Sequence, residues 1–205
     1  MRASGVVVIS GPGPHIGKSF VSANFAVVAA TAGKRVVLVD CDLRRGELNH
    51  SFAARRTPGV TEWLGGATLD QILQREVAPG LDFIATGSEP PLAADLLQGP
   101  RMDALVTELS SRYDLVLIDT PPVLAAPDAG ILAPKASAVF LVARADKTTA
   151  GELIATHRAI VQGGGEVKGV LFNGLKIEGR WYRSHNYFGK YRYLNRYGSK
   201  SAREA

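Results

Sequence analysis

The stretch Ser10-Gly11-Pro12-Gly13-Pro14-His15-Ile16-Gly17-Lys18-Ser19 constrains this chain more than any other. It follows an apolar β-branched run, Val6-Val7-Val8-Ile9, and opens into a helical pattern from Lys18. A glycine-rich turn between a strand and a helix is the setting of a phosphate-binding loop. Backbone N–H groups wrap the β- and γ-phosphates of a nucleotide, and Gly17 permits close backbone approach. Lys18 neutralises phosphate charge, and the Ser19 hydroxyl ligates Mg²⁺. The standard spacing G-x-x-x-x-G-K-[ST] asks for glycine at position 12, where this chain has Pro12 between Gly11 and Gly13. The reading therefore rests on the strand before the loop and the helix after it. Lys34 and Lys147 have no such frame.

Short apolar runs recur at Val6–Ser10, Val36–Asp40, Leu81–Ala85, Leu115–Asp119, Ala138–Ala143 and Val167–Phe172. They are continuous rather than alternating, so both faces of each strand are covered. This predicts an α/β fold of three layers, a mostly parallel sheet with helices on both faces, as in phosphate-loop NTPases. Helical patterns fall at Lys18–Thr31, Val60–Leu64, Leu69–Gln74, Leu92–Leu97, Arg101–Arg112, Ala129–Ala133 and Thr149–Gln162, with Pro100 and Thr148 as start signals. At 205 residues and 46% hydrophobic content the chain can bury a full core. One domain over residues 1–178 with a tail over 179–205 is expected.

Charge separates the two parts. Residues 176–205 hold eight Lys/Arg and two Asp/Glu, a net +6, which leaves 16 against 17, or −1, for the body. This balance argues against a general nucleic-acid-binding surface on the body and leaves the tail as a candidate. The lone Cys41 can form no disulfide within the chain. No run approaches the ~18 apolar residues of a membrane span, and the start lacks a secretory signal. A reducing, cytoplasmic setting is expected.

In parallel sheets ligands bind at the carboxyl ends of the strands, and these ends are polar here. Asp119 closes Leu115-Val-Leu-Ile118 and is placed like the acid that holds Mg²⁺ through water. Asp40 and Asp42 stand two apart and point the same way along an extended backbone. They form either a solvated turn or a pair with a metal or a cation such as Arg44 between them. Asn173 can pair with an adenine edge or simply open the turn at Gly174. His15 can touch phosphate or face solvent. His50, His157 and His185 show no metal-ligand spacing.

Taken together these segments resemble the bacterial tyrosine kinases. Gly11-Pro-Gly-Pro14-His-Ile-Gly17-Lys18-Ser19 is similar to their G-x-x-P-x-x-G-K-[ST] loop. Val-Leu-Val-Asp40-Cys-Asp42-Leu-Arg44 resembles their Walker A′ motif, and Val-Leu-Ile-Asp119-Thr-Pro121-Pro122 their Walker B motif. Pro90-Pro91-Leu92-Ala93-Ala94-Asp95-Leu96-Leu97 looks like a further family segment. Partition-type and division-site ATPases carry an additional signature lysine where this chain has Gly13.

The resemblance implies a kinase that uses ATP and Mg²⁺ to phosphorylate tyrosines, chiefly in its own tail, as part of inner-membrane machinery for capsular or extracellular polysaccharide. Lys18, Asp40, Asp42 and Asp119 become the catalytic set. Ser19, Asp42 and Asp119 would hold the metal. Gly11, Gly13, Pro14, His15, Ile16, Gly17, Lys18, Ser19, Phe20 and Asn173 would bind the nucleotide. Asp40 would orient the tyrosine hydroxyl. Free Asp and Tyr differ by about 6 pKa units, roughly 8 kcal/mol, so Asp40 aligns the hydroxyl and does not deprotonate it beforehand. Partners implied are the tyrosine tails of neighbouring subunits in a homo-oligomer, and a membrane activator or fused transmembrane domain. Only four residues precede Gly5, so the ring-building helix of the family is missing and the chain is expected to be part of a longer polypeptide.

The tail supplies the acceptors. Tyr182, Tyr187, Tyr191, Tyr193 and Tyr197 alternate with basic residues and glycine, without periodic aliphatics to bury. Aromatics among basic residues also describe a stacking platform for single-stranded nucleic acid, and hence a partition-type ATPase with a basic tail. The accompanying motifs favour phosphorylation.

Overall fold

The apolar runs become strands because each is covered from both sides. In the computed structural model, which describes residues 3–175, seven strands form one sheet. They are β1 (Ala3–Ser10), β2 (Val36–Asp40), β3 (Gln74–Ala78), β4 (Leu81–Ile84), β5 (Leu115–Asp119), β6 (Ala136–Arg144) and β7 (Val167–Asn173). Their order is β3-β4-β2-β5-β1-β6-β7, and every pair is parallel except β3 with β4. Met1–Asn173 forms one compact unit. The expected boundary at 178 and all five tail tyrosines lie outside the described residues.

One face of the sheet carries α1 (Lys18–Thr31), whose Ala23, Ala26 and Ala30 pack on Ile9, Leu38, Phe83 and Leu117. Small residues let this helix lie close over the strands. The other face carries α6 (Pro100–Arg112) and α8 (Ala150–Gln162), where Leu105, Leu109 and Ile160 meet Val8, Val39, Ile118 and Leu141. Neighbouring strand residues thus feed opposite layers. Short helices fill the connections: α2 (Leu48–Ser51), α3 (Val60–Leu64), α4 (Leu69–Ile72), α5 (Ala93–Gln98) and α7 (Asp128–Leu132), the last followed by a 3₁₀ turn at Ala133–Lys135.

The expected helix over 69–74 stops at Ile72, and Gln74 begins an antiparallel edge strand instead. Its sequence, Gln-Arg-Glu-Val-Ala, is polar because an edge strand here is only partly covered, so no apolar run announces it. The start signal of α8 is Thr149 and not Thr148. Glu152 N donates to Thr149 Oγ1 (3.2 Å) and Thr149 N to Glu152 Oε2 (2.8 Å), a reciprocal cap.

Register places the polar strand ends together. Ile9 pairs with Asp119 and Asp40 with Asp119, so the phosphate loop, the Walker B acid and the Walker A′ turn leave adjacent strands at one level. The connection from β1 passes β5 to reach β2 on one side, whereas the connection from β5 crosses β1 to reach β6 on the other. That is where a crevice opens in such sheets.

Candidate functional site

Gly17 ends the loop with φ 91° and precedes the first residue of α1. A side chain there would be strained, and its Cβ would stand 2.2 Å from Asn173 Nδ2. That amide donates to Ile16 O at 3.0 Å, tying the end of β7 to the loop. Asn173 therefore fastens the loop through its amide nitrogen. Ile16 is buried in the core and anchors the loop through packing. Val123 N donates to Gly11 O (2.9 Å), and Ser10 Oγ to Pro121 O (3.2 Å), stitching the loop to the segment after β5.

Lys18 is 8% exposed and its Nζ donates to Gly13 O at 3.3 Å. Burial lowers its pKa, while Asp119 and Asp42 act in the opposite direction. The first turn of α1 carries no acidic residue, so the positive end of the helix is not offset by a side chain. These are the conditions for receiving phosphate.

Asp119 is buried with both oxygens engaged. Ser19 Oγ donates to Oδ2 and Ser22 Oγ to Oδ1, each at 2.7 Å. Burial pushes its pKa up to about 6, against the pull of Ser22, Ser19 and Lys18. Asp40 is 1% exposed and accepts from Asp42 N through Oδ1 and from Leu48 N through Oδ2, both at 3.1 Å. Burial, and then Asp119, hold its pKa well above the usual carboxylate range. Asp42 is half-buried, and its Oδ1 accepts from Arg45 N at 3.0 Å.

The two Walker A′ carboxylates thus differ in surroundings. Asp42 lines an open cleft of about 700 Å³ with Lys18, Ser19, His15 and Pro122, whereas Asp40 lies beneath the turn and is not among the lining residues. Arg44 does not sit between them. Its guanidinium reaches Asp128 on α7 (3.2 and 3.3 Å), a fully buried carboxylate that the sequence gives no reason to pair with residue 44.

Of the remaining expected residues, Pro14 and His15 are exposed and line the cleft. The His15 carbonyl accepts from Arg144 Nη1 at 3.1 Å. Gly11 is close-packed, a Cβ there falling 2.6 Å from Val142 O, while Gly13 faces open space. Phe20 is 65% exposed on α1 and does not line the cleft. Sequence reasoning missed Ser22, Asp128 and Arg144. Ser22 alone left a signal, a polar residue four positions after Lys18 on the face of α1 that carries Ala26 and Ala30.

Ser19, Asp42 and Asp119 offer hydroxyl and carboxylate oxygens, the donors a hard cation prefers. No group of three or more His, Cys, Asp or Glu that could hold a metal exists among the described residues. The set therefore suits an ion that keeps waters and shares phosphate oxygens, as Mg²⁺ does.

A phosphate loop at the switch point of a parallel sheet, with acids closing the neighbouring strands, defines a nucleotide-binding domain. Residues 7–175 match the CobQ/CobB/MinD/ParA nucleotide binding domain, and the chain belongs to that family. Within it, the kinase domain of the Escherichia coli tyrosine kinase ETK superposes with a TM-score of 0.84 at 34% identity, over 87% of this chain and 70% of that one. The chain is thus a member of the bacterial tyrosine-kinase domains.

A candidate tyrosine-protein kinase, EpsB of Ralstonia nicotianae, is 47% identical over 209 residues, covering 100% of this chain and 28% of that protein. The chain spans only about that share of the curated relative. The septum site-determining protein MinD of Pyrococcus horikoshii, solved with Mg-ADP, shares 18% identity at a TM-score of 0.70, over 82% of this chain and 70% of that one. That likeness is one of fold alone. Among the described residues no helix is long and apolar enough to cross a membrane.

Proposed function

We propose that this chain is an ATP- and Mg²⁺-dependent tyrosine-kinase domain. It transfers the γ-phosphoryl group of ATP to Tyr182, Tyr187, Tyr191, Tyr193 and Tyr197, its own or those of a neighbouring subunit. The observation that carries this reading is the meeting of Lys18, Ser19 and Asp42 in one cleft, with Asp119 hydrogen-bonded behind Ser19. The membership of the chain among the tyrosine-kinase domains supports it.

Lys18 and the loop amides hold the β- and γ-phosphates, and Ser19 with Asp42 and Asp119 holds Mg²⁺. The ion, when bound, neutralises charge on the transferring group. The bond from the γ-phosphorus to the bridging oxygen breaks as the tyrosine oxygen bonds to phosphorus, ADP departs, and the phenolic proton passes late to Asp40 and from there to solvent. Positioning and charge do most of this work. Asp40 aligns the hydroxyl. Asp40 is buried beneath its turn and does not line the cleft, so this role requires the turn to shift when the acceptor enters. The domain acts at the cytoplasmic face of the inner membrane, joined to or activated by a membrane protein, in the control of polysaccharide assembly and export.

Incubation with Mg²⁺ and γ-labelled ATP, followed by phosphosite mapping, tests the reading. Label is expected on the tail tyrosines of the wild type and none on a Lys18→Met protein whose circular dichroism is unchanged. Free phosphate stimulated by DNA, with no labelled protein, would instead identify a partition-type ATPase.

A further inference from the structure

Ser22 lies one helical turn beyond Lys18, and none of its surface is exposed. Its hydroxyl has one hydrogen and two acceptors in range, Asp119 Oδ1 at 2.7 Å and Lys18 O at 3.1 Å. The second contact is the ordinary habit of a helical serine, which bonds back to the carbonyl four residues earlier. The first is not, because Asp119 is 97 positions away in sequence. The shorter, charge-assisted contact to the carboxylate claims the hydrogen.

Ser19 makes the matching bond to the other oxygen of Asp119, but the two serines are not equivalent. Ser19 is exposed and lines the cleft, whereas Ser22 is sealed behind it. On the reading given above, Ser19 turns an oxygen lone pair to Mg²⁺ when nucleotide arrives and keeps its hydrogen on Asp119 Oδ2. Ser22 has no path to the ion and no reason to move.

We propose that Ser22 is a positioning residue for the metal. It anchors Oδ1 of Asp119, so that Oδ2 stays aimed at the cleft, where it meets Ser19 and the site assigned to Mg²⁺. The two serines divide the work: Ser19 links the carboxylate to the cleft, and Ser22 keeps it from rotating into the core. The inference rests on the assignment of Ser19 and Asp119 to Mg²⁺, and the wild-type measurement tests that assignment separately.

The experiment measures the affinity of a fluorescent ADP analogue across a Mg²⁺ titration and in EDTA, for the wild type, Ser22→Ala and Ser22→Cys. Ser22→Ala is expected to raise the Mg²⁺ concentration at half-effect by about tenfold, the loss typical of removing a partner that orients a metal ligand. Affinity in EDTA should stay within about twofold, because the phosphates still meet Lys18 and the loop. Ser22→Cys, which keeps the size and a weak donor, should fall between, and it carries the comparison if the alanine variant does not fold. In an Asp119→Asn background, Ser22→Ala should add nothing further. An unchanged Mg²⁺ requirement in both variants, or an equal loss with and without Mg²⁺, overturns the proposal while leaving the kinase reading intact. Nucleotide binding by the wild type that ignores Mg²⁺ overturns the metal assignment and the proposal with it.

Discussion

Asp119 shows how one residue holds two opposed requirements. It must be ionised to meet a cation, yet burial raises its pKa to about 6. The folded value lies above the ordinary 3.8, so the native state binds the extra proton, and stability falls as pH rises from about 4 to 6. Above that window the charged form costs about 3 kcal/mol, as two pKa units imply. Without nucleotide, Asp119→Asn is therefore expected to stabilise the protein by up to ~3 kcal/mol at pH 7.5 and hardly at all at pH 4. Urea unfolding at both pH values checks this, and an equal effect at the two would contradict the assignment. The same substitution should weaken Mg²⁺-dependent nucleotide binding. The carboxylate was legible in the sequence as an acid ending an apolar strand. Its bond to Ser22 was not, because a hydroxyl on a helix says nothing about which strand end it will meet.

At the scale of elements, the turn from Cys41 to Glu47 decides what the Walker A′ motif can do. Asp40 lies beneath it, Asp42 stands on its open side, and Gly46 closes it. A Cβ on Gly46 would fall 2.3 Å from Thr86 Cγ2 and 2.5 and 2.6 Å from the two oxygens of Asp40. Gly46→Ala is expected to destabilise the fold by about 1–3 kcal/mol, the usual cost of overpacking, and to lower labelling more than that loss explains. Thermal unfolding beside a labelling assay measures both, and full labelling would show that Asp40 does not need this turn. Alternation of strands and helices was readable throughout because buried strands are apolar on both faces. The edge strand β3 was not, since its partial cover leaves no apolar run. The partner of Arg44 was unreadable for a related reason. Sequence proximity offered Asp40 and Asp42, but the fold brings up Asp128 from α7.

For the molecule as a whole, the question is where the acceptor tyrosines meet the cleft. Tyr113, the sole tyrosine outside the tail, donates its hydroxyl to Asp82 at 2.5 Å, so that oxygen is already engaged. The segment from Arg180 to Gly198 could reach about 60 Å when extended, which permits transfer within a subunit or between two. A protein truncated after Gly179 is expected to label a Lys18→Met protein that keeps its tail. No label, with the truncated enzyme shown to hydrolyse ATP, would rule out transfer between subunits under those conditions.

The sequence by itself determined the six apolar strands, the phosphate loop and the acids at the strand ends, because strand burial and glycine-bearing turns are written in local residue order. Only the tertiary structure decided which of those acids reaches the cleft, that Asn173 fastens the loop, that Arg44 is held by Asp128 and that Ser22 backs Asp119. Each of these is a contact between residues 84 to 157 positions apart or a matter of depth beneath a turn, and neither leaves a local pattern to read.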